Sequence, residues 1–338
     1  MRGPASVLLL VFVLAAAPQG AEAQKFSYSR GQPVYPAYEG WTENPDGSFN
    51  MLFGYMNENW EQELEVPVGS DNQFSPGSPD QGQPTHFLPR RNRYVFAVEV
   101  PADFGADDEL VWTLRANGQE YRAYGTLRPD LFTDNVIIMS ETGALGAGAS
   151  SPEIRANIPP MIELEGGVER SVRVGETLTL AAVVTDDGQP TSISFFTSSA
   201  ADDEEADAAD DEAEEEADDE EDAEPTPRSI LERALGRGTA SGTVSKRLGL
   251  HYTWFVYRGP GEAVEFDPPQ IKTWEDTRPF ANSPWTVGWT LPDAPEDGRW
   301  VSGVTFSEPG TYVIRGRADD GGLYADVEVT VRVQSTVF

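Results

Sequence analysis

Two Asp-Asp-Gly phrases, Asp186-Asp187-Gly188 and Asp319-Asp320-Gly321, are the residues here whose types and spacing best suit a specific chemistry. Paired carboxylates on a glycine turn gather several oxygens at one place, and Ca²⁺ prefers several carboxylate and carbonyl ligands. Asp186, Asp187, Asp319 and Asp320 are therefore candidate calcium ligands. The alternative is that Asp and Gly serve only as turn formers. A second constellation is aromatic. Lys272 to Trp300 holds four of the eight tryptophans, Trp274, Trp285, Trp289 and Trp300, with Pro279, Pro284, Pro292 and Pro295 among them. Aromatic faces on stiff loops stack on sugars or grip protein partners. The alternative is a satellite core, because exposing several tryptophans together is costly.

Other chemistries are excluded or left without a motif. The chain has no cysteine, so it has no disulfide framework, thiolate zinc site, cysteine nucleophile or lipid-anchor thiol. Only two histidines occur, His86 and His251, too few for a His-rich metal site. Both are expected on the surface or in loops, without a nucleophile partner. No Gly-x-Ser-x-Gly elbow, phosphate loop or HExxH helix is present. The chain therefore reads as non-enzymatic. Acids are abundant throughout, so the facing carboxylates of a glycoside hydrolase remain a third reading. A formal net charge of −33 argues against nucleic acid and anionic membranes as partners. Arg90, Arg91 and Arg93 form a small basic island that could hold an anion, but a solvated strand edge is the preferred reading, since charged edges deter aggregation.

The elements that must position these residues are strands. Residues 1–23 read as a secretory signal peptide: Arg2, the apolar run Val7 to Ala17, then Ala21-Glu22-Ala23 before a mature start at Gln24. The expected location is secreted, at the cell surface or in a periplasm, with no transmembrane segment after signal removal. An outer-membrane barrel fails on register. Counting back by twos from Phe338 gives Thr336, Gln334, Arg332 and Thr330, while the valines lie in the opposite set.

Residues 28–138 read as a first antiparallel β-sandwich without helix signals. Tyr94, Phe96, Val98 and Val100 alternate along one expected face. Asn117-Gly118 predicts a two-residue type I′ hairpin, with Arg115 opposite Glu120, Leu114 opposite Tyr121 and Trp112 opposite Ala123. Gly69 to Pro89 is a long Gly/Pro/polar loop, a length often functional or mobile. Residues 139–158 read as a flexible linker by composition.

Residues 159–335 carry three phrases: PPMIELEGGVERSVRVGETLTLAAVVTDDGQP, LHYTWFVYRGPGEAVEF and FSEPGTYVIRGRADDGGLYADVEVTVRV. Their order resembles the PKD-type immunoglobulin-like domains of secreted bacterial proteins, over about a quarter of the chain. The resemblance implies a sandwich in which the first Asp-Asp-Gly ends strand B and the second opens the F–G hairpin, both at one pole. Periodicity agrees independently. Leu178, Leu180, Ala182 and Val184 alternate on one strand, Leu250, Tyr252, Trp254 and Val256 on another, and Val327, Val329, Val331 and Val333 on the last. Pro309-Gly310-Thr311-Tyr312 fits a tyrosine corner. The departures are insertions at 189–247 and 267–303.

The first insertion contains residues 201–224, only Asp, Glu and Ala, 17 of them acidic. Such a tract is expected to be disordered, as a solvated spacer, a cation-responsive segment or a dock for a basic partner. A short helix is expected after Pro225, with Thr226 as N-cap and Gly236 at its end. The fold class is thus all-β: two antiparallel β-sandwiches, the second immunoglobulin/PKD-like with an acidic insertion. The leading functional reading is adhesion, assembly or spacing, with a protein or glycan partner at the cell surface. A carbohydrate-binding accessory protein using the tryptophan-rich insertion is second.

Overall fold

The computed structural model describes residues 29–142, 152–190, 249–275 and 292–335. The expected signal peptide, the acidic tract, the helix after Pro225, Trp285 and Trp289 lie outside them. In the first sandwich, β1 (Val34–Glu43), β2 (Phe49–Asn57) and β6 (Arg90–Val100) form one antiparallel sheet in the order β1-β2-β6. Strands β4 (Asn72–Ser75), β7 (Leu110–Ala116) and β8 (Gln119–Gly125) form the other, in the order β4-β7-β8. A short ladder joins β3 (Leu64–Glu65) to β5 (His86–Phe87). The Asn117-Gly118 hairpin has positive φ at both positions, 48° and 76°, and the three expected cross-strand pairs. Alternation drives Trp112 and Leu114 into the core, where Phe74 stacks on Trp112 and Phe53 meets it edge-on.

Strand β6 departs from simple alternation. Phe53 pairs with Phe96 but Tyr55 pairs with Asn92, so Arg93, Tyr94 and Val95 oppose Gly54 alone. Only glycine fits there: a Cβ on Gly54 would stand 2.4 Å from the Asn92 carbonyl oxygen and 2.2 Å from Glu39 Oε1. Tyr94 has φ of 49°, a conformation that costs a non-glycine residue about 1 kcal/mol or more and needs support from its surroundings. Phe96, Val98 and Val100 serve the first core as expected. Tyr94 does not; the bulge turns it into a separate cluster with Met139, Ile154 and Leu323.

The composition of 139–158 misleads for a related reason. Helix α1 (Asn135–Thr142) and helix α2 (Pro152–Arg155) occupy the ends of the expected linker. Asp134 caps α1 by accepting from the Ile137 N–H at 2.9 Å. Met139 and Ile154 are buried because they fill the space beside Tyr94, which small neighbouring residues do not reveal.

The second sandwich contains β9 (Met161–Leu164), β10 (Glu169–Arg173), β11 (Thr177–Thr185), β12 (His251–Arg258), β13 (Val264–Asp267), β14 (Arg299–Phe306), β15 (Gly310–Asp319) and β16 (Tyr324–Gln334). Its sheets run β13-β14-β11-β9 and β10-β16-β15-β12, all antiparallel except the β10–β16 pair. With β9 and β10 as a split first strand, this is the strand order of an immunoglobulin sandwich. Leu180, Ala182, Val184, Trp254, Val256, Val329, Val331 and Val333 fill the core from both sheets. The tyrosine corner forms: the Tyr312 hydroxyl donates to the Glu308 carbonyl at 2.9 Å. One boundary moves. Strand β14 begins at Arg299, which pairs with Val183, so the second insertion ends at 298 rather than 303.

Candidate functional site

Both Asp-Asp-Gly phrases lie at the same end of the second sandwich, one just after β11 and the other where β15 ends at Asp319. Each folds into an Asx-type turn that uses the carboxylates on neighbouring backbone. Asp186 accepts from the Gly188 N–H at 2.9 Å and Asp187 from the Gln189 N–H at 2.8 Å. Asp319 accepts from the Gly321 N–H at 2.7 Å. Asp320 Oδ1 accepts from the Gly322 and Leu323 N–H groups at 2.6 and 2.7 Å. The connector ties the phrases together: Asn157 Nδ2 donates to Asp320 Oδ2 at 3.0 Å, and the Ile158 N–H to Asp187 Oδ2 at 3.3 Å. Among the described residues, no three acidic or histidine side chains converge as metal ligands.

Burial pushes the Asp320 carboxyl up to about 7, against the pull of the Leu323 and Gly322 N–H groups and Asn157. The Asp319 charge adds to the rise. An unfolded Asp titrates at about 3.9. The folded state therefore binds this proton more tightly, and the stability it contributes is full below about pH 4 and lost as pH rises through about 7. Denaturation at pH 5 and pH 7.5 is expected to show a loss of about 2–3 kcal/mol from this group. Asp320→Asn should flatten that part of the profile; an unchanged slope would remove Asp320 as its source.

The tryptophans divide. Trp300 packs against the second core with its ring 6.0 Å from Tyr252. Trp274 sits between the sandwiches: its indole N–H donates to Asn92 Oδ1 at 3.2 Å, and the Arg317 guanidinium lies 5.1 Å from its ring.

That seam holds the buried charged residues that the sequence reading missed. The outer face of β12, β15 and β16 is covered by the first sandwich. Arg317, buried, makes a two-pronged pair with Asp326 at 2.7 Å on each arm and donates to the Tyr94 carbonyl at 3.1 Å. Arg315, also buried, binds Glu328, donates to the Val95 carbonyl and stacks 3.4 Å from the Tyr257 ring centre. Lys272 Nζ donates to the Pro89 and Arg91 carbonyls at 3.0 and 2.7 Å and to Glu275 at 2.7 Å; burial lowers its pKa to about 8. Pro89, the start of β6 and its bulge thus present a row of backbone acceptors for cations of the second sandwich. The register carried half of this signal, since Arg315 lies opposite Glu328 and Arg317 opposite Asp326. What covers that face was not in the pattern.

Three expectations change at the seam. The Gly69–Pro89 loop packs along the β12 edge: the Thr85 N–H donates to the Tyr257 carbonyl at 3.1 Å and Arg258 pairs with Asp80 at 2.7 Å. The arginine island is already engaged by the protein itself. Arg91 pairs with Glu39 at 2.7 Å, Arg93 with Glu141 at 2.9 Å, and Arg90 lies 4.1 Å from the Trp60 ring centre. His86 is 4% exposed rather than superficial, because its two ring nitrogens meet Glu63 at 2.8 Å and Glu65 at 2.5 Å. His251 opens β12, opposite Asp319.

No family model and no curated protein matches the chain. Among solved structures it is similar to a three-domain immunoglobulin fragment of titin, at 7% identity and a TM-score of 0.21, covering 90% of this chain and 67% of that one. It is also similar to domains 1–6 of the surface layer protein SbsC, at 9% identity and a TM-score of 0.22, covering 90% of this chain and 28% of that one. A third is the N-terminal eight immunoglobulin domains of Down Syndrome Cell Adhesion Molecule, at 10% identity and a TM-score of 0.19, covering 90% of this chain and 27% of that one. At these scores the likeness adds nothing to the strand order, and it is the strand order of β9 to β16 that makes the second half of this chain an immunoglobulin-like sandwich.

Proposed function

We propose that this chain is a non-enzymatic secreted or cell-surface protein for adhesion, assembly or spacing, whose two sandwiches act as one stiff body. The observation that carries the reading is the seam. Arg315, Arg317 and Lys272 are buried cations, each satisfied by backbone carbonyls of the other sandwich. Buried charges paired this way resist separation, because each would lose its partners on opening. A stiff body fixes the direction in which the pole bearing the Asp-Asp-Gly turns faces a protein partner. The three phrases that resemble PKD-type domains fall on β9–β11, β12–β13 and β15–β16, which supports that finer assignment. Export rests on the leader at 1–23; among the described residues no helix is long and apolar enough to cross a membrane.

The test is a distance distribution. Spin labels on exposed positions Tyr124 and Val301, one on each sandwich, should give a single narrow distance at pH 7. A broad distribution would mean that the sandwiches move independently and that the stiff-body reading is wrong.

A further inference from the structure

One titratable cluster, a buried imidazole between two half-exposed carboxylates, is used by neither the pole nor the cation row. His86 on β5 lies between Glu63, just before β3, and Glu65 at its end. Both ring nitrogens meet a carboxylate, so the ring satisfies both only with two protons. The second sandwich rests directly on this group. The Gly261 N–H, in the turn between β12 and β13, donates to the same Glu65 oxygen at 2.6 Å. A Cβ at Gly261 would stand 2.2 Å from the His86 Cε1, so the turn lies against the imidazole with no room for a side chain. Gly259 adds a bond from its N–H to the Thr85 hydroxyl at 3.0 Å.

We infer that Glu63, His86 and Glu65 form a proton-held latch that fixes the β12–β13 turn of the second sandwich on the first. The latch rests on the stiff-body reading and deepens it by naming what closes this end of the seam. Removing the ring proton leaves one donor for two carboxylates. It also removes the positive charge that balances them, so Glu65 no longer presents a fixed oxygen to Gly261.

The surroundings set the working range. Burial alone would pull the imidazole down, but the bonds and charges of Glu63 and Glu65 outweigh it and hold its pKa at about 9. The other titratable groups on this side of the seam come from β2, β12, β15 and the flanking loops, and include Tyr312 of β15, which feels the Glu65 charge. Tyr55 of β2 and Arg317 of β15 line the small cavity beside the ring, which has room for about one water. Burial raises the Tyr55 pKa far above this range, and Arg317 stays charged throughout. Tyr257 of β12 lines the same cavity and is raised to about 12. Asp80 and Arg258 pair with each other along the same edge. Lys272 titrates at about 8, with the opposite sign. Its folded pKa is depressed, so its loss of a proton favours the folded state as pH rises and cannot mimic the latch. The His86 contribution is full below the unfolded imidazole value of about 6.5 and is lost as pH rises through about 9.

Two readouts on the full chain test this. With only two histidines, ring NMR signals are few, and a His251→Gln variant assigns them. The His86 ring should keep both protons past pH 8. The Gly261 amide should lose about twentyfold of its exchange protection between pH 7.0 and 8.5, after correction for intrinsic rates. A Glu65→Gln variant, which keeps an acceptor for Gly261, should lower the ring pKa by about one unit or more and cut the pH dependence of Gly261 exchange to about sixfold or less over the same range. A ring that titrates below pH 7, or Gly261 exchange that stays flat while the ring titrates, overturns the latch. A narrow spin-label distance together with flat exchange removes the latch alone, whereas a broad distance at pH 7 removes the stiff body beneath it.

Discussion

Trp254→Ala is expected to cost the second sandwich about 3–5 kcal/mol of unfolding free energy, with the loss read from denaturant midpoints at constant slope. The indole is 1% exposed on β12 and meets the Tyr252 ring edge-on at 5.2 Å. Its neighbours cannot fully close over the gap. Gly316 opposite is glycine because a Cβ there would stand 2.8 Å from the Trp254 ring and 1.9 Å from the Tyr252 hydroxyl oxygen. Trp254 pairs opposite Gly316 in the β12–β15–β16 sheet, whose ladders hold the backbone apart, so the gap closes only in part. One effect works the other way: the indole N–H has no acceptor, and truncation removes that unsatisfied donor. The loss is therefore expected toward the lower end of the range. A loss under about 1 kcal/mol would mean that the indole is not at the centre of this core.

Arg317→Ala is expected to cost about 3–5 kcal/mol and to broaden the distance between the sandwiches at the same time. The guanidinium is 3% exposed. Its removal leaves Asp326 without its two-pronged partner and the Tyr94 carbonyl without a donor. It also removes the cation between the Trp274 and Tyr324 rings. Arg317→Lys should recover only part of the loss, because a point charge cannot serve Asp326 and the bulge carbonyl in one plane. Destabilisation without a change in the distance distribution would assign Arg317 to the second sandwich alone. No change in either would show that the seam does not depend on it.

Local features were legible in the sequence. The Asn117-Gly118 hairpin is set by two residues whose backbone demands are met nowhere else in the turn. The tyrosine corner is set by four residues, and the valine alternation of β16 by every second position. The turn character of both Asp-Asp-Gly phrases was legible locally, whereas their place at one pole came only from the family resemblance. What stayed hidden depends on two distant segments meeting. Tyr94 leaves its expected face because Gly54 on another strand admits a bulge. His86 reads as a surface residue until Gly261 lies against it. Arg315 and Arg317 look solvated, as alternating charges on an outer strand face do, until the carbonyls of β6 cover them. Met139 and Ile154 sit in a stretch whose small residues suggest a spacer, and only their burial beside Tyr94 and Leu323 shows otherwise.

The seam also sets an order of events during synthesis. Tyr257 packs into the core of the first sandwich, although it belongs to a strand of the second. The bond from Arg317 to the Tyr94 carbonyl joins residues 223 positions apart. A chain emerging from its N-terminus thus presents β6 with its bulge carbonyls uncovered and its core lacking one ring. It must hold that incomplete sandwich until β12 and β15 arrive. Contacts so distant in sequence form late and slowly. The first sandwich is expected to remain the vulnerable partner until the second has been delivered, and to become durable only when the last strands close over it.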